Sequence, residues 1–188
     1  MAPVTLSAIA NEPCWVSWRA EVRDGRTTKV PYDPRTGRRA ASDDPATWAT
    51  HDEAAFWAAK EHFDGVGVMF SAIGGASLAG ADLDTCLDPD TGDVAPWAQE
   101  IIDRLNSYSE ASPSGTGVKV FFTIANDDLS AVEALFDGNQ GRSFKNGHGG
   151  DHPPAIEVFR GRRFFTFTNE SIGPKDNYGS SASPICNG

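Results

Sequence analysis

Two aspartates separated by one leucine, Asp82 and Asp84, are the first residues of this chain whose type and spacing suggest chemistry. They end an apolar stretch, residues 78–84, that has the composition of a strand. Residues i and i+2 of a strand point to the same face, so both carboxylates would lie on one side and Leu83 on the other. Two like charges at this spacing repel unless a cation lies between them, and carboxylate oxygens suit Mg²⁺ or Mn²⁺. The segment is therefore a metal site, or else an acidic strand end or a turn.

A second candidate is the serine- and glycine-rich segment 112–119, Ser-Pro-Ser-Gly-Thr-Gly-Val-Lys. Gly115 and Gly117 allow backbone N–H groups to approach an anion. The hydroxyl groups of Ser112, Ser114 and Thr116 are further donors. Lys119, at the start of the next predicted strand, adds a positive charge. The segment is either a phosphate-binding turn or a plain tight turn. It is not a Walker A loop, because the spacing and the following helix are missing.

The third candidate is an acid in an apolar strand, Glu157. A carboxylate buried there is costly unless it is paired or bound to a metal, and the alternative is an outward-facing residue of an edge strand. Basic and aromatic residues follow: Arg160, Arg162, Arg163 and the strand 164–168. Three carboxylates, an anion-binding turn and a cluster of guanidinium groups are what metal-assisted phosphoryl or nucleotidyl transfer requires.

The elements that must position these side chains are predicted from hydrophobic period and turn signals. We expect strands at 14–19, 27–32, 65–70, 78–84, 108–111 and 118–124, and helices at 50–62, 96–105 and 127–136. Residues 156–159 and 164–168 are predicted to form a hairpin around Gly161, after a long glycine-rich loop at 137–154. The order predicts an α+β (mixed α/β) domain over residues 1–170 and a linker or disordered tail at 171–188.

Composition and charge argue against several classes of protein. The net charge of −10 argues against a protein that coats nucleic acid nonspecifically, but not against an enzyme that holds it locally. The chain has no run of about 18 apolar residues and no signal-peptide pattern, so neither a membrane span nor secretion is expected. Its three cysteines are far apart, which argues against a disulfide framework and fits a reducing cytoplasm.

In combination, the three segments resemble the archaeo-eukaryotic primase superfamily, in particular the primase-polymerase domains of phages, plasmids and related mobile elements. Residues 81–84, 112–119 and 156–168 resemble that family's three motifs, and segments 15–19, 29–32 and 41–48 are similar to its lead-in segments. The resemblance spans residues 10–170. Lys119 departs from the family's usual histidine, which contacts the incoming nucleotide's phosphate, and Asn-Glu follows Thr168 where a glycine is expected.

The resemblance implies a primase-polymerase core, an RRM-like antiparallel sheet flanked by helices, that performs template-dependent DNA synthesis in the replication of a mobile element. It implies that two Mg²⁺ or Mn²⁺ ions are held by Asp82, Asp84 and Glu157. It also implies that nucleotide phosphates are held by Ser112, Ser114, Gly115, Lys119 and Arg163. The implied partners are a DNA template or primer, nucleoside triphosphates and, in a longer protein, a helicase domain. Two alternatives stay open: a non-catalytic nucleotide- or DNA-binding module, and a metal-dependent nuclease.

Other polar side chains have two interpretations each. Four basic residues either contact template or nucleotide or are solvated surface charges: Arg19, Lys29, Arg38 and Arg39. His148 and His152 are spaced i, i+4, but their glycine-rich surroundings predict no helix that would align them on zinc. We expect that loop to lie over the nucleotide instead.

Overall fold

A computed structural model describes residues 1–145 and 153–173. His148, His152 and most of the predicted tail at 171–188 lie outside the described residues. The helices are α1 Leu6–Ala10, α2 His51–Lys60, α3 Pro96–Leu105 and α4 Leu129–Leu135, with 3-10 turns at Pro45–Thr47 and Asn126–Asp128. Among the described residues, each of these helices is too short or too polar to cross a membrane.

The strands are β1 Ala2–Pro3, β2 Trp15–Arg23, β3 Arg26–Tyr32, β4 Gly65–Met69, β5 Ala72–Ile73, β6 Ala76–Asp84, β7 Ser109–Ala111, β8 Val118–Ala125, β9 Gly141–Lys145, β10 Ala155–Arg160 and β11 Phe164–Phe167. They form two sheets. The larger has the order β1-β8-β6-β10-β9, with β5 beside β6 and β7 beside β8, and the smaller has the order β11-β4-β2-β3. All strand pairs in the described residues are antiparallel, and the predicted α+β class is confirmed.

Local sequence signals account for the elements that were predicted well. Asp24 and Gly25, with φ of 51° and 75°, form the two-residue turn of the β2–β3 hairpin. Thr50 and Glu53 form a capping box at the start of α2, where each satisfies a backbone N–H of the other. Pro96 occupies the first turn of α3, where its missing N–H costs no hydrogen bond.

The larger sheet is covered on both faces. One face presents Ala81 and Leu83 to α3, where they pack in a cluster with Ile102. The other face presents Leu78 and Phe121 to the smaller sheet, in a cluster that includes Trp15, Val68 and Phe165. Because side chains alternate along β6, Asp82 and Asp84 lie on the same face as Leu78, turned toward the smaller sheet.

The predicted hairpin of residues 156–168 is wrong. β10 pairs with β6 and β9 in the larger sheet, whereas β11 pairs with β4 in the smaller sheet. Gly161 and Arg162, with φ of 57° and 42°, form a left-handed turn that passes the chain from one sheet to the other. Phe165 and Phe167 then pack against the shared aromatic core, which a hairpin lying in one sheet would not allow.

The predicted loop at 137–154 is also partly wrong, because it contains β9, which pairs with β10. Gly141 was interpreted as a loop residue. In the structure, a Cβ at Gly141 would lie 2.4 Å from Cδ1 of Phe159, so the glycine permits close packing within the sheet. Glycine therefore marked a close contact here rather than a turn.

A buried carboxylate ties the two sheets together after β11. Glu110, on β7, has no exposed surface. It accepts hydrogen bonds from the Tyr108 hydroxyl at 2.9 Å, from Thr168 N at 3.0 Å and from Asn169 N at 3.1 Å. Burial raises the Glu110 pKa to about 7, although these hydrogen bonds and the charge of Lys119 oppose the shift.

We expect Glu110 to make the free energy of unfolding fall as pH rises. Its carboxyl group is protonated in the folded protein up to about pH 7 but loses its proton near pH 4.5 when the chain unfolds. The folded state therefore holds the extra proton between these values. The stabilisation is complete below pH 4.5 and is lost as pH rises through 7, by up to about 3 kcal/mol.

Urea unfolding of the wild type and Glu110→Gln from pH 5 to 8.5 measures this effect. The free energy of unfolding of the variant should fall less than that of the wild type as pH rises to 7 and above, because glutamine does not titrate. The matched control is Glu100→Gln, at an exposed position on α3, which should keep the wild-type profile. Parallel profiles for Glu110→Gln and the wild type would show that Glu110 does not carry the decline.

Candidate active site

The register of three adjacent strands brings the predicted site residues into one row. Asp82 on β6 is the cross-strand partner of Lys119 on β8 and of Glu157 on β10. Directly opposite residues point to the same face, with Cβ atoms about 5 Å apart. Asp84 lies two residues along β6, opposite Ala155 and on the same face. The three carboxylates, of which Asp82 and Glu157 are 75 residues apart along the chain, thus share one face of the larger sheet.

A buried ion pair lies at the centre of this row. Lys119 Nζ lies 2.6 Å from Asp82 Oδ2, and the lysine side chain is only 7% exposed. The same ammonium lies 4.6 Å from the centre of the Phe165 ring, which adds a cation–π contact. The Lys119 side chain thus lies between the two sheets, where its ammonium group pairs with the Asp82 carboxylate and contacts the Phe165 ring.

Asp82 has an unused acceptor. Its Oδ1 atom is buried and, among the described residues, has no hydrogen-bond partner. Buried polar atoms are nearly always paired, because a lost hydrogen bond to water is costly. An orphaned carboxylate oxygen in a row of acids is therefore suited to a cation or a donor supplied by a ligand.

The donor set fits the divalent ions that the resemblance implies. Three carboxylates on one face are hard oxygen ligands of the kind Mg²⁺ and Mn²⁺ prefer, and Asp82 Oδ1 is unpaired. Within residues 1–145 and 153–173, no three histidine, cysteine or acidic side chains are close enough to form a ready-made metal cluster. The three acids are suitable metal ligands and lie at neighbouring positions on one face of the sheet. Their side chains would have to rotate to bring the carboxylates together around an ion.

A cavity of about 520 Å³ opens between the two sheets beside the ion pair. Its charged lining residues are four bases and one acid: Lys29, Lys119, Arg162, Arg163 and Asp82. The remaining lining comes from β3, β11 and the segment between β3 and the first 3-10 turn: Thr27, Thr28, Pro31, Ala40, Ser42, Phe164, Phe165 and Thr166. A strongly basic cavity in a chain of net charge −10 is suited to an anionic ligand.

Lys29, for which the sequence left two interpretations open, is at this cavity. It comes from β3 of the smaller sheet, and its exposed side chain faces the row of charges from the other wall. Desolvation of its ammonium and the nearby charge of Lys119 lower the pKa of Lys29, while Asp82 and Asp84 act in the opposite direction. Lys29 is therefore exposed but close enough to Lys119, Asp82 and Asp84 to interact with their charges.

Arg163 also lies at the cavity, and its guanidinium group stacks 4.1 Å from the centre of the Phe159 ring. Arg162 and Arg163 line a second cavity of about 370 Å³ as well, which Glu157 and Ser143 border. The two arginines thus lie where a cleft at Asp82 meets a cleft at Glu157.

The serine-rich turn lies beside the acids but outside the larger cavity's lining. A Cβ on Gly117 would lie 3.7 Å from the Asp84 Cα, so the turn abuts the end of β6. Its donors are used internally: Gly117 N donates to Ser112 Oγ, Gly115 N donates to Ser112 O, and the Ser112 and Ser114 hydroxyls bond each other. An anion at this turn would have to replace these bonds, so the cradle that the sequence predicted is not open in this conformation.

Two of the remaining basic residues make contacts within the fold. Arg19 donates from Nη2 to the Glu61 carbonyl at 2.7 Å and lies 4.1 Å from the centre of the Phe63 ring. Arg39 pairs with Glu21 at 2.9 Å. Both contacts engage the guanidinium groups within the protein, which argues against a direct role of Arg19 and Arg39 in binding.

Two residues at or near the site were not singled out from the sequence. Glu110 occupies the next position of the same row, opposite Lys119, and Thr166 lines the cavity between the sheets. A glutamate two residues before the serine-rich turn was a usable signal, since an acid in a short apolar strand is costly to bury. Thr166 gave no signal, because a threonine in an aromatic strand is ordinary.

The comparisons with known proteins agree with the motifs. No protein-family profile matches the chain. The chain is 28% identical over 172 residues, 92% of its length, to a DNA primase-polymerase of Nitratiruptor phage NrS-1. The aligned part is 21% of that protein, so the chain spans about a fifth of the length of this relative. The resemblance predicted from the three motifs is therefore confirmed: nearly the whole chain is similar to part of a phage primase-polymerase.

Proposed function

We propose that this chain is a nucleotidyltransferase domain that acts as a DNA primase or DNA polymerase, adding nucleotides to a chain under the direction of a DNA template. The observation that carries the proposal is the row formed by Lys119, Asp82 and Glu157 across β8, β6 and β10, with Asp84 on the same face. Lys119 and Asp82 line a basic cavity large enough for a nucleotide's polyphosphate, and Glu157 borders the adjoining cavity. The phage relative's name supports the same activity.

The chain's own residues have separable roles in this proposal. Lys119 and Arg163, with Lys29 from the opposite wall, bind the triphosphate and orient its reacting phosphorus. Asp82, Asp84 and Glu157 hold the divalent ions, whose chemistry when bound is to activate the attacking 3′-hydroxyl and to stabilise the leaving pyrophosphate. The ion pair with Lys119 compensates the charge of Asp82, one of these acids.

The 3′-hydroxyl oxygen loses its proton to solvent and bonds to the nucleotide's α-phosphorus. The bond from that phosphorus to the oxygen it shares with the β-phosphate breaks, and pyrophosphate leaves. The basic lining compensates the negative charge that develops on the phosphate oxygens during this exchange.

We expect Asp82→Asn, Asp84→Asn and Glu157→Gln each to reduce primer extension by at least about 100-fold, because each removes a carboxylate from the proposed ion-binding set. Extension of a labelled primer on a DNA template, with Mg²⁺ or Mn²⁺, measures the effect. The matched control is Asp90→Asn, at an exposed acid in the turn after β6, which should extend primers like the wild type.

Circular dichroism must show that each variant is folded, because Asp82→Asn also leaves Lys119 buried without its partner. Wild-type extension by folded Asp84→Asn or Glu157→Gln would refute the assignment of those acids. A wild-type protein that binds nucleotides but never incorporates them would instead favour a non-catalytic module. Shortening of the labelled primer or template in the absence of added nucleotides would favour a nuclease.

We expect Lys119→Ala to raise the KM for the nucleotide by roughly tenfold or more, since it removes a charged contact to phosphate, while DNA affinity changes much less. Steady-state extension at varied nucleotide concentration and a fluorescence-anisotropy titration of primed DNA measure the two quantities. The control is Lys60→Ala, on α2, whose ammonium lies 4.2 Å from the centre of the Trp57 ring. An unchanged KM for Lys119→Ala would remove this lysine from the nucleotide site.

A further inference from the structure

Thr166 carries a buried hydroxyl that the fold does not satisfy. The residue is 3% exposed on β11, and its Oγ1 atom has no hydrogen-bond partner in the part of the chain that the structure describes. A neighbouring threonine behaves differently: Thr168 Oγ1 donates to the Ala111 carbonyl at 2.8 Å. An unpaired buried hydroxyl lowers stability relative to an apolar side chain of the same shape, so its presence calls for an explanation outside the free protein.

Thr166 lines the same cavity as Asp82, whose Oδ1 atom is also buried and unpaired. The two orphaned oxygens come from different sheets, one from β11 and one from β6. Two residues that line one cavity and each carry an unsatisfied buried oxygen indicate that the cavity suits a polar ligand able to pair both oxygens.

The charges around this cavity indicate which part of a ligand Thr166 would contact. Four bases line it against one acid, and the Lys119 ammonium lies over the ring of Phe165, the residue next to Thr166 in the chain. Hydroxyl groups donate readily to phosphate oxygens, and charge-assisted hydrogen bonds of this kind are stronger than neutral ones.

We propose that Thr166 is a nucleotide-binding residue, whose hydroxyl donates a hydrogen bond to a phosphate oxygen of the bound nucleoside triphosphate. This inference rests on the proposed function and adds to it a contact from the second sheet. The nucleotide would then join the sheets, held by Lys119 on β8, by Lys29 on β3 and by Thr166 on β11.

The test uses Thr166→Val, which keeps the side chain's shape and removes the hydroxyl. Because the hydroxyl has no partner in the free protein, the variant should unfold at the same urea concentration as the wild type or a higher one. It should nevertheless bind inorganic tripolyphosphate and a non-hydrolysable deoxynucleoside triphosphate analogue roughly five- to tenfold more weakly by calorimetry. A merely structural residue would not combine undiminished stability with weaker binding.

Two further variants complete the experiment. Thr123→Val is the matched control, because Thr123 Oγ1 donates to the Ala2 carbonyl at 3.3 Å and lies outside the cavity lining. It should lower stability and leave binding unchanged. Thr166→Ser restores a hydroxyl without the methyl group and should recover most of the tripolyphosphate affinity.

Three results would overturn the inference: destabilisation of Thr166→Val, unchanged binding of both probes, or no recovery in Thr166→Ser. Binding of the triphosphate analogue that weakens without any change for tripolyphosphate would also overturn it, because the contact would then be to the nucleoside. Primer extension by the wild type is measured in parallel. If the wild type binds the probes but does not extend primers, the proposed function is wrong. The binding data for the Thr166 variants still test the Thr166 contact on their own.

Discussion

The ion pair between Lys119 and Asp82 is the interaction on which the site depends. A buried pair of this kind gains little net free energy, because removing two charges from water costs about as much as their attraction returns. Its effect is to fix geometry. The pair holds β8 and β6 in one register, and β10 adds Glu157 to the same row. A shift of β6 by one residue would turn Asp82 and Asp84 toward α3 and away from the cavity.

The rest of the fold supports that row by packing two sheets against each other with very little space. At Gly80, two residues before Asp82, even a methyl group would lie 2.5 Å from the Phe165 ring. Phe165 in turn contacts Phe121 and Phe70 and lies beneath the Lys119 ammonium. The aromatic core that stabilises the domain is therefore also the floor of the cavity, and packing and binding share the same side chains.

Much of this arrangement could be predicted from the sequence, for reasons that are local. Period-two alternation put Asp82 and Asp84 on one face, and turn and capping residues marked the first hairpin and α2. The partner of a strand is not a local property, so the segments around Gly161 were assigned to one hairpin although they belong to different sheets. Likewise the unpaired Thr166 hydroxyl exists only once β11 is packed, and no residue pattern announces it.

The left-handed turn at Gly161 and Arg162 has a mechanical consequence. It is one of the connections that join the sheets, and it also carries the arginines at the meeting point of the two cavities. Any change in the angle between the sheets must therefore swing these guanidinium groups relative to the carboxylates. Under the proposed function, widening of the cleft and loss of the arginine contacts to phosphate would thus be a single movement about this short turn.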